Sequence, residues 1–316
     1  MKRLLVISAF SIVALSALAY RPQPVPGWNE LSASYADAGK APIVIETPKD
    51  SPTETIQRLS FPSADGSTVK GVFVRPLADG VYPVVVVLHG LGGNKDQMVT
   101  HLAPYFIPKG IAIFALDAPF HGERHTQEGT KTLFGMFMAA QKSKVKGDLV
   151  AQVHAVDADN NFTKFYVNAV HGGVLDYRLG LDYLDTRKDV DHKRIGVFGY
   201  SLGSIMGSIL AGVDSRITCS ALCVGGDPSL PFMDEMPENL KFSVAEVSPS
   251  LFISHAAPHP LFFLNGKVDD VIPKSATDRL FDAAGQPKEI KWYPSGHTLP
   301  EDAFKDAVAW SIDHLK

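Results

Sequence analysis

The chain alternates short apolar runs, rich in β-branched residues, with longer segments that carry apolar residues at helical spacing. The run at 84–88 is apolar at every position, which is typical of a strand buried on both faces of a sheet. Further strands are predicted at 55–61, 68–75, 111–116, 195–198, 260–264 and 290–293, and helices at 96–107, 173–186, 202–212, 274–284 and 300–315. This alternation predicts an α/β fold in which a mostly parallel sheet, with an antiparallel start, is covered by helices on both faces.

Three segments do not follow the alternation. Residues 20–54 are rich in Pro, Ala and Ser, and we expect them to form an extended segment ahead of a main domain at 55–316. Residues 121–168 and 227–258 are long connections between predicted elements, and structureless loops of that length are uncommon in compact domains. We therefore predict that these two stretches are insertions that form a cap or lid.

The first 19 residues have the pattern of a secretory signal. Lys2 and Arg3 precede an uncharged apolar run at 4–18 that closes with Ala17-Leu18-Ala19, and cleavage is predicted after Ala19. The alternative is a retained membrane anchor, but a run of 15 residues is shorter than the ~20 that span a bilayer. We expect an exported protein, periplasmic or secreted, with no stable membrane insertion once the signal is removed.

Composition and charge narrow the classes of function. The 316 residues are 45% hydrophobic and 20% charged, which is ordinary for a globular protein. The net charge of −4 lacks the basic surplus that nucleic-acid binding requires, so we expect no nucleic-acid partner. If 217–224 is a strand, Cys219 and Cys223 lie on one face at roughly 13 Å, which is too far for a disulfide, and we expect buried free thiols.

The pentapeptide Gly199-Tyr200-Ser201-Leu202-Gly203 comes directly after one predicted strand and before a predicted helix. A serine on such a turn has a strained backbone, and the glycines two residues to either side let strand and helix approach closely. The turn exposes the hydroxyl at the end of the sheet and directs the N-terminus of the helix toward it. Ser201 is therefore the candidate nucleophile of a serine hydrolase.

A serine hydroxyl needs a base, and the base needs a partner that fixes its tautomer. His297 lies in the loop after the last predicted strand and is the candidate base. Asp269 and Asp270 follow the strand at 260–264, and spacing alone does not separate the two carboxylates. The order Ser201, Asp, His297 is the one expected of this architecture.

The oxyanion of the tetrahedral intermediate needs two hydrogen-bond donors. One candidate is the backbone N–H of Leu202, directly after the nucleophile. The second is expected from the loop after the strand at 84–88, which reads His89-Gly90-Leu91-Gly92-Gly93 and whose glycines permit close backbone approach. We assign this second donor to the N–H of Leu91; each such donor typically contributes roughly 3 kcal/mol.

Five segments in the order found here resemble the α/β-hydrolase superfamily, over residues 55–316. The matching segments are 89–92, 117–124, 199–203, 266–273 and 295–297. The second of them, Asp-Ala-Pro-Phe-His-Gly-Glu-Arg, resembles the D-x-P-x-H-G segment of dienelactone-hydrolase-like esterases and related peptidases. The resemblance implies an α/β-hydrolase fold, with a central sheet of about eight strands, and a Ser-His-Asp triad.

The resemblance also favours one carboxylate, because Asp269, three residues after Gly266 and four before Pro273, matches the position of the acid in the superfamily. Dienelactone hydrolases themselves use cysteine as the nucleophile, whereas this chain has Ser201. What is implied is hydrolysis of a small carboxylic ester by a serine through an acyl-enzyme, without a cofactor.

Other residues in these segments have a structural and a functional interpretation. His89 is expected to hydrogen-bond the oxyanion loop into shape rather than to transfer protons. His121, Glu123 and His125 are metal-ligating residue types, but nothing predicts that they lie on one helix, and we expect no metal. The Met-Phe-Met run at 136–138 either lines an acyl pocket or packs beneath a lid.

Two alternative functions stay open. D-x-P-x-H-G enzymes include peptidases of the prolyl-oligopeptidase type, but these usually carry a propeller or another large N-terminal domain, which residues 20–54 are too few to form. A catalytically silent member of the superfamily could bind a ligand or partner, and an incomplete triad would be its sign. Acyl and alcohol preference and oligomeric state are not defined by the sequence.

Overall fold

The computed structural model describes residues 26–36, 43–142, 152, 159–230 and 236–316. The signal peptide predicted at 1–19 lies outside the described residues. Within them, no helix combines the length and the apolar character needed to cross a bilayer.

The described residues form a mixed sheet of ten strands. Its order is β1-β3-β4-β6-β5-β7-β8-β9-β10, and β2 also pairs with β3. The strands β1 to β4 pair antiparallel, β4 lies antiparallel to β6, and all later pairings are parallel. The strands are β1 (Val44–Ile45), β2 (Lys49–Asp50), β3 (Glu54–Pro62), β4 (Thr68–Pro76), β5 (Tyr82–Leu88), β6 (Ala112–Leu116), β7 (Val190–Tyr200), β8 (Ile217–Cys223), β9 (Leu261–Gly266) and β10 (Lys288–Tyr293).

This architecture confirms the predicted α/β class, with its antiparallel start and parallel remainder. The expectation of about eight strands was too low, because β1 and β2 are additional strands of two residues each. Two residues cannot show an alternating pattern, and both strands exist only through hydrogen bonds to β3.

Eight helices accompany the sheet in the described part of the chain. They are α1 (Trp28–Ala33), α2 (Lys95–Phe106), α3 (Gln127–Lys142), α4 (Asn161–Asp185), α5 (Leu202–Val213), α6 (Glu238–Glu246), α7 (Lys274–Ala283) and α8 (Glu301–Leu315). Three of them, α1, α3 and α6, were not predicted as helices, and of the five that were predicted, four lie within a few residues of their predicted positions. The exception is α4, which begins at Asn161 rather than at 173, so its first turns fall in the stretch 121–168 that we predicted as an insertion.

The central strand β5 is buried on both faces, as its sequence predicts. Val84, Val86 and Leu88 pack into one hydrophobic cluster, to which α4 and α5 contribute. Val85 and Val87 pack into a second cluster, with side chains from α2 and α8. The two clusters lie on opposite faces of the sheet, because successive side chains of a strand point to opposite faces. The C-terminal end of β5, at Leu88, is therefore held between two packed layers.

The N-terminal segment 20–54 is not wholly extended, in contrast to our expectation. Its described part contains α1, and both Leu31 and Tyr35 are buried in the core. The Tyr35 hydroxyl donates a hydrogen bond of 2.6 Å to the carbonyl of Glu246, at the end of α6. This packing depends on contacts more than two hundred residues away along the chain, which local composition does not encode.

Candidate active site

Ser201 occupies a strained turn between β7 and α5. Its backbone has φ 54° and ψ −115°, and a positive φ is uncommon for a residue with a Cβ. The residue is 9% exposed. A strained serine at the end of a parallel strand is the geometry that the pentapeptide predicts.

The flanking glycines are required by contacts between β7, α5 and β5. A Cβ on Gly199 would lie 2.5 Å from the carbonyl oxygen of Gly203, and a Cβ on Gly203 would lie 2.0 Å from the carbonyl oxygen of Leu88. Both distances are below any real van der Waals contact. The steric reason given for the G-x-S-x-G spacing therefore holds in this chain.

The structure brings together the three side chains that the sequence singled out. Ser201 Oγ lies 2.8 Å from Nε2 of His297, and His297 Nδ1 lies 2.8 Å from Oδ2 of Asp269. Because the carboxylate accepts a hydrogen bond from the N–H at Nδ1, the unprotonated Nε2 is left to accept one from the serine hydroxyl. The arrangement can take a proton from Ser201 and stabilise the resulting imidazolium.

Asp269 is also distinguished from its neighbour. Its side chain is 2% exposed, and its second oxygen, Oδ1, accepts hydrogen bonds of 2.9 Å from the N–H groups of Val271 and Ile272. Asp270 is exposed. The backbone of the turn thus orients one carboxylate toward His297 and leaves the other in solvent.

Two residues that sequence analysis did not single out hold the histidine loop in place. The hydroxyl of Tyr200 donates a hydrogen bond of 2.9 Å to the carbonyl of His297. At the end of β9, a Cβ on Gly266 would lie 2.1 Å from the carbonyl oxygen of Gly296, so only glycine permits this approach. Both belong to segments quoted for the resemblance, but their roles depend on how distant loops meet.

The loop at 89–93 lies against the turn that carries Ser201. A Cβ on Gly90 would lie 3.3 Å from the Cβ of Ser201 and 3.2 Å from the carbonyl oxygen of Tyr200. Within the described residues, the N–H groups of Leu91 and Leu202 donate to no protein acceptor. Both therefore remain available to an oxyanion at Ser201.

His89 has the structural role expected of it. Its Nε2 accepts a hydrogen bond of 3.0 Å from the N–H of Ala118, and its Nδ1 lies 2.8 Å from the carbonyl oxygen of Gly90. These two contacts require a neutral ring with its proton on Nδ1. Burial, followed by the proximity of His121, lowers the pKa of His89 to about 4, so the ring is neutral near pH 7.

The candidate metal residues at 121–125 have other partners. His121 Nδ1 lies 2.8 Å from the carbonyl oxygen of Pro119, and Glu123 accepts a hydrogen bond from Lys95. His125 Nδ1 lies 3.3 Å from the carbonyl oxygen of Gly122. No group of three or more His, Cys, Asp or Glu side chains suited to a metal occurs among the residues described.

The remaining candidates are placed as follows. The run at 136–138 lies on α3; Met138 is exposed, and the side chains of Met136 and Phe137 are outside the described residues. Both cysteines are buried on β8 and unpaired, as predicted. Burial raises the pKa of the Cys219 thiol to about 12 and that of the Cys223 thiol further still.

Comparison with known proteins finds esterases among the relatives and structural neighbours of this chain. An esterase of Enterobacter sp. (strain 638), FrsA, is 25% identical over 170 residues, which are 54% of this chain and 31% of FrsA. The chain thus spans about a third of the length of that relative.

Two solved structures are similar in fold. One is the acetyl xylan esterase from Paenibacillus sp. R4, with a TM-score of 0.68 and 18% identity over 91% of this chain and 93% of that one. The other is a cold-adapted esterase from an Arctic intertidal metagenomic library, with a TM-score of 0.62 and 20% identity over 85% and 98%. At these identities the likeness shows the α/β-hydrolase fold alone.

The family model described as the dienelactone hydrolase family matches residues 69–309, a range that holds the whole constellation around Ser201. That match covers well over half of the chain. The chain belongs to the dienelactone hydrolase family.

Proposed function

We propose that the protein is a serine carboxylic ester hydrolase that acts on small-molecule esters through an acyl-enzyme. The observation that carries this proposal is the continuous hydrogen-bonded series from Ser201 Oγ through His297 to Asp269, with 2.8 Å at both contacts. Family membership supports the esterase class. Within that class we assign Ser201 as the nucleophile, His297 as the base and Asp269 as the residue that orients the base.

Acylation begins when Nε2 of His297 takes the proton of the Ser201 hydroxyl. The serine oxygen forms a bond to the ester carbonyl carbon, and the carbonyl oxygen becomes an oxyanion that accepts hydrogen bonds from the N–H groups of Leu91 and Leu202. Collapse of this intermediate breaks the bond to the alcohol oxygen, and the His297 imidazolium gives its proton to the departing alkoxide. The products are the free alcohol and an acyl group on Ser201.

Deacylation repeats these steps with water as the nucleophile. His297 takes a proton from water, the hydroxide oxygen bonds to the acyl carbon, and the oxyanion returns to the same two donors. When the bond to Ser201 breaks, His297 returns the proton to the serine oxygen and the acid is released. The two backbone hydrogen bonds of Asp269 hold its carboxylate where it stabilises the imidazolium.

The test is turnover of p-nitrophenyl esters of increasing acyl length by the mature protein and by Ser201→Ala. We expect kcat to fall by at least about 10³-fold in this variant, with no change in its far-UV circular dichroism. Ser275→Ala is the matched control, because Ser275 is exposed on α7 and should leave turnover unchanged. A fluorophosphonate should add covalently to the peptide that contains Ser201.

Three results would contradict the proposal or replace it. Full turnover by Ser201→Ala would exclude the serine as nucleophile. Hydrolysis of amides as fast as that of the matched esters would favour a peptidase. A folded wild-type protein that is silent toward the whole series and toward the fluorophosphonate would favour a ligand-binding function.

We also propose that the protein is exported, periplasmic or secreted, after removal of residues 1–19. The support is the charged, apolar and small-residue sequence of this segment. The intact mass of protein recovered from the periplasm or medium of a Gram-negative host should correspond to a chain that begins at Tyr20. Full-length protein confined to the cytoplasm would refute this proposal.

A further inference from the structure

A buried lysine stands at the start of α2, directly after the loop 89–94. Lys95 is 1% exposed, although lysine is rarely buried. Its ammonium group lies 2.9 Å from Oδ2 of Asp117, 2.5 Å from Oε1 of Glu123 and 3.1 Å from Oδ2 of Asp96. A buried cation with this many carboxylate contacts is held in one position.

The carboxylate of Asp117 lies at the centre of this cluster and is held by hydrogen bonds to both of its oxygens. It is fully buried, and its Oδ1 accepts a hydrogen bond of 2.9 Å from the backbone N–H of Lys95. Its Oδ2 accepts from the Lys95 ammonium and, at 3.0 Å, from the N–H of Glu123. Gly122 has φ +53°, and a Cβ there would lie 2.3 Å from the Asp117 carboxyl carbon. The chain at 117–123 therefore closes tightly around the carboxylate.

The loop 89–94 has little internal structure of its own. It contains three glycines, and its backbone hydrogen bond within the described residues runs from the N–H of Gly93 to the carbonyl of Gly90, at 3.0 Å. The two ends of the loop are tied to consecutive residues at the end of β6. His89 accepts from the N–H of Ala118, and Lys95 binds Asp117 with both its backbone N–H and its ammonium.

We infer that Lys95 is a positioning residue of the proposed active site: with Asp117 it fixes the C-terminal end of the loop that presents the Leu91 N–H to the oxyanion. The inference rests on the proposed function, because it assigns Leu91 as an oxyanion donor. Lys95 itself touches neither the substrate nor Ser201. Its effect on catalysis passes through the geometry of the loop.

The size of the effect follows from what an oxyanion donor contributes. Removal of one donor costs about 10²–10³-fold in kcat. Loosening one end of a glycine-rich loop displaces the donor without removing it, and we expect a loss of roughly 10–100-fold. KM should change less than about threefold, because the donor acts mainly on charge that develops in the transition state.

Lys95→Met is the principal variant. It keeps the unbranched side chain and the backbone N–H of residue 95, and removes the ammonium group. Arg58→Met is the matched control: Arg58 belongs to the same cluster through a 2.8 Å contact with Asp96 but is substantially exposed and has no contact with Asp117. Lys95→Met/Asp117→Asn removes both charges, including the unpaired buried carboxylate that the single variant leaves behind. Because the N–H groups of Lys95 and Glu123 each face one oxygen of Asp117, the amide keeps only one of these two hydrogen bonds.

Two readouts are needed. The first is kcat and KM on the best p-nitrophenyl ester of the wild-type series. The second, which requires no activity, is hydrogen–deuterium exchange by mass spectrometry of the peptide that covers 89–95. Lys95→Met should lower kcat as stated and accelerate exchange in this peptide, whereas Arg58→Met should do neither. The double variant buries no unpaired charge but loses one backbone hydrogen bond to residue 117, so it should keep the low kcat of Lys95→Met.

Each contrary result overturns the inference. Unchanged exchange at 89–95 would show that Lys95 does not order the loop, and faster exchange with wild-type kcat would show that this order has no catalytic consequence. Recovery of wild-type kcat by the double variant would assign the effect to charge balance and stability. If the wild-type protein neither hydrolyses esters nor reacts with a fluorophosphonate, the proposed function fails, and this inference fails with it. If the wild-type protein is active and Lys95→Met is equally active, the inference alone is refuted.

Discussion

The neutral, buried ring of His89 should make the protein sensitive to acid from about pH 6.5 downward. The ring is 1% exposed, and it accepts a hydrogen bond from Ala118 through Nε2 and donates one to Gly90 through Nδ1. Protonation would place a second N–H against the N–H of Ala118 and would break that contact. The native state therefore disfavours the charged ring, and burial lowers its pKa to about 4.

The sign and size of the effect follow from proton linkage. In the unfolded chain the pKa of histidine is about 6.5, so between about pH 6.5 and pH 4 the unfolded state binds one more proton at this residue than the native state does. The free energy of unfolding therefore falls as the pH falls through this range. A depression of about 2.5 pKa units at about 1.36 kcal/mol each gives about 3 kcal/mol, present in full above pH 6.5 and lost near pH 4.

Urea unfolding followed by far-UV circular dichroism between pH 7.5 and pH 4.5 measures this effect. His89→Asn removes the titrating ring, so the free energy of unfolding of wild type should fall by about 2–3 kcal/mol more than that of the variant over this range. Contributions from groups common to both proteins cancel in the difference. His192→Asn, which removes an exposed imidazole, is the control and should follow wild type. Parallel curves for wild type and His89→Asn would refute the argument that the buried neutral ring is the source of acid sensitivity.

Three further predictions concern the site and the core. Asp269→Asn should lower kcat by about 10²–10⁴-fold, because the amide no longer fixes the tautomer of the His297 ring. For Asp270→Asn we expect at most a twofold change in kcat, and equal losses in the two variants would show that the wrong carboxylate was chosen. Tyr200→Phe should lower kcat roughly 3–10-fold and the free energy of unfolding by about 1 kcal/mol, because the hydroxyl no longer donates to the carbonyl of His297 or accepts the longer bond of 3.4 Å from the N–H of Leu299. Unaltered kinetics and an unaltered urea midpoint would contradict this prediction. Both buried thiols should fail to react with an aromatic disulfide reagent in native protein and react fully in urea, and rapid native labelling would mean that β8 is accessible.

The elements of the catalytic constellation were predictable where the constraint is local. Gly199 is required by contacts with Gly203 and Ser204, at most five positions away, which the structure shows as Cβ distances below 3 Å. Gly203 is required by a distant residue, because its Cβ would meet the carbonyl of Leu88. The strand at 84–88 was predictable because every residue in it is apolar. By contrast, the strands β1 and β2 are defined by pairing with β3. The early start of α4 was missed although Phe162, Phe165 and Tyr166 continue the helical spacing toward the N-terminus.

Residue spacing does not separate Asp269 from Asp270, and the conformation of the turn does. Both residues lie in one turn, and both have the chemistry that His297 needs. The turn decides between them, because Oδ1 of Asp269 accepts the N–H groups two and three residues further on, which fixes its side chain with Oδ2 toward the histidine. A side chain that bonds the N–H two residues ahead is a recognised signal of an Asp-initiated turn, and it could have been weighed from the sequence Asp-Asp-Val-Ile-Pro.

Lys95 carried a signal that helix electrostatics could have exposed. The N-terminus of a helix has a partial positive charge, so a cation in the first turn is unfavourable by about 0.3–1 kcal/mol at an exposed site. Lysine is nevertheless the first residue of α2, directly after the capping residue Asn94. An exposed lysine there would cost only this small amount, but a buried one needs anions that outweigh both the helix dipole and the loss of hydration. The carboxylates of Asp117 and Glu123 are these anions, and they lie in the same segment as Ala118, whose N–H binds His89. A residue that is unfavourable at a helix N-terminus thus marks the point where the loop is joined to the end of β6.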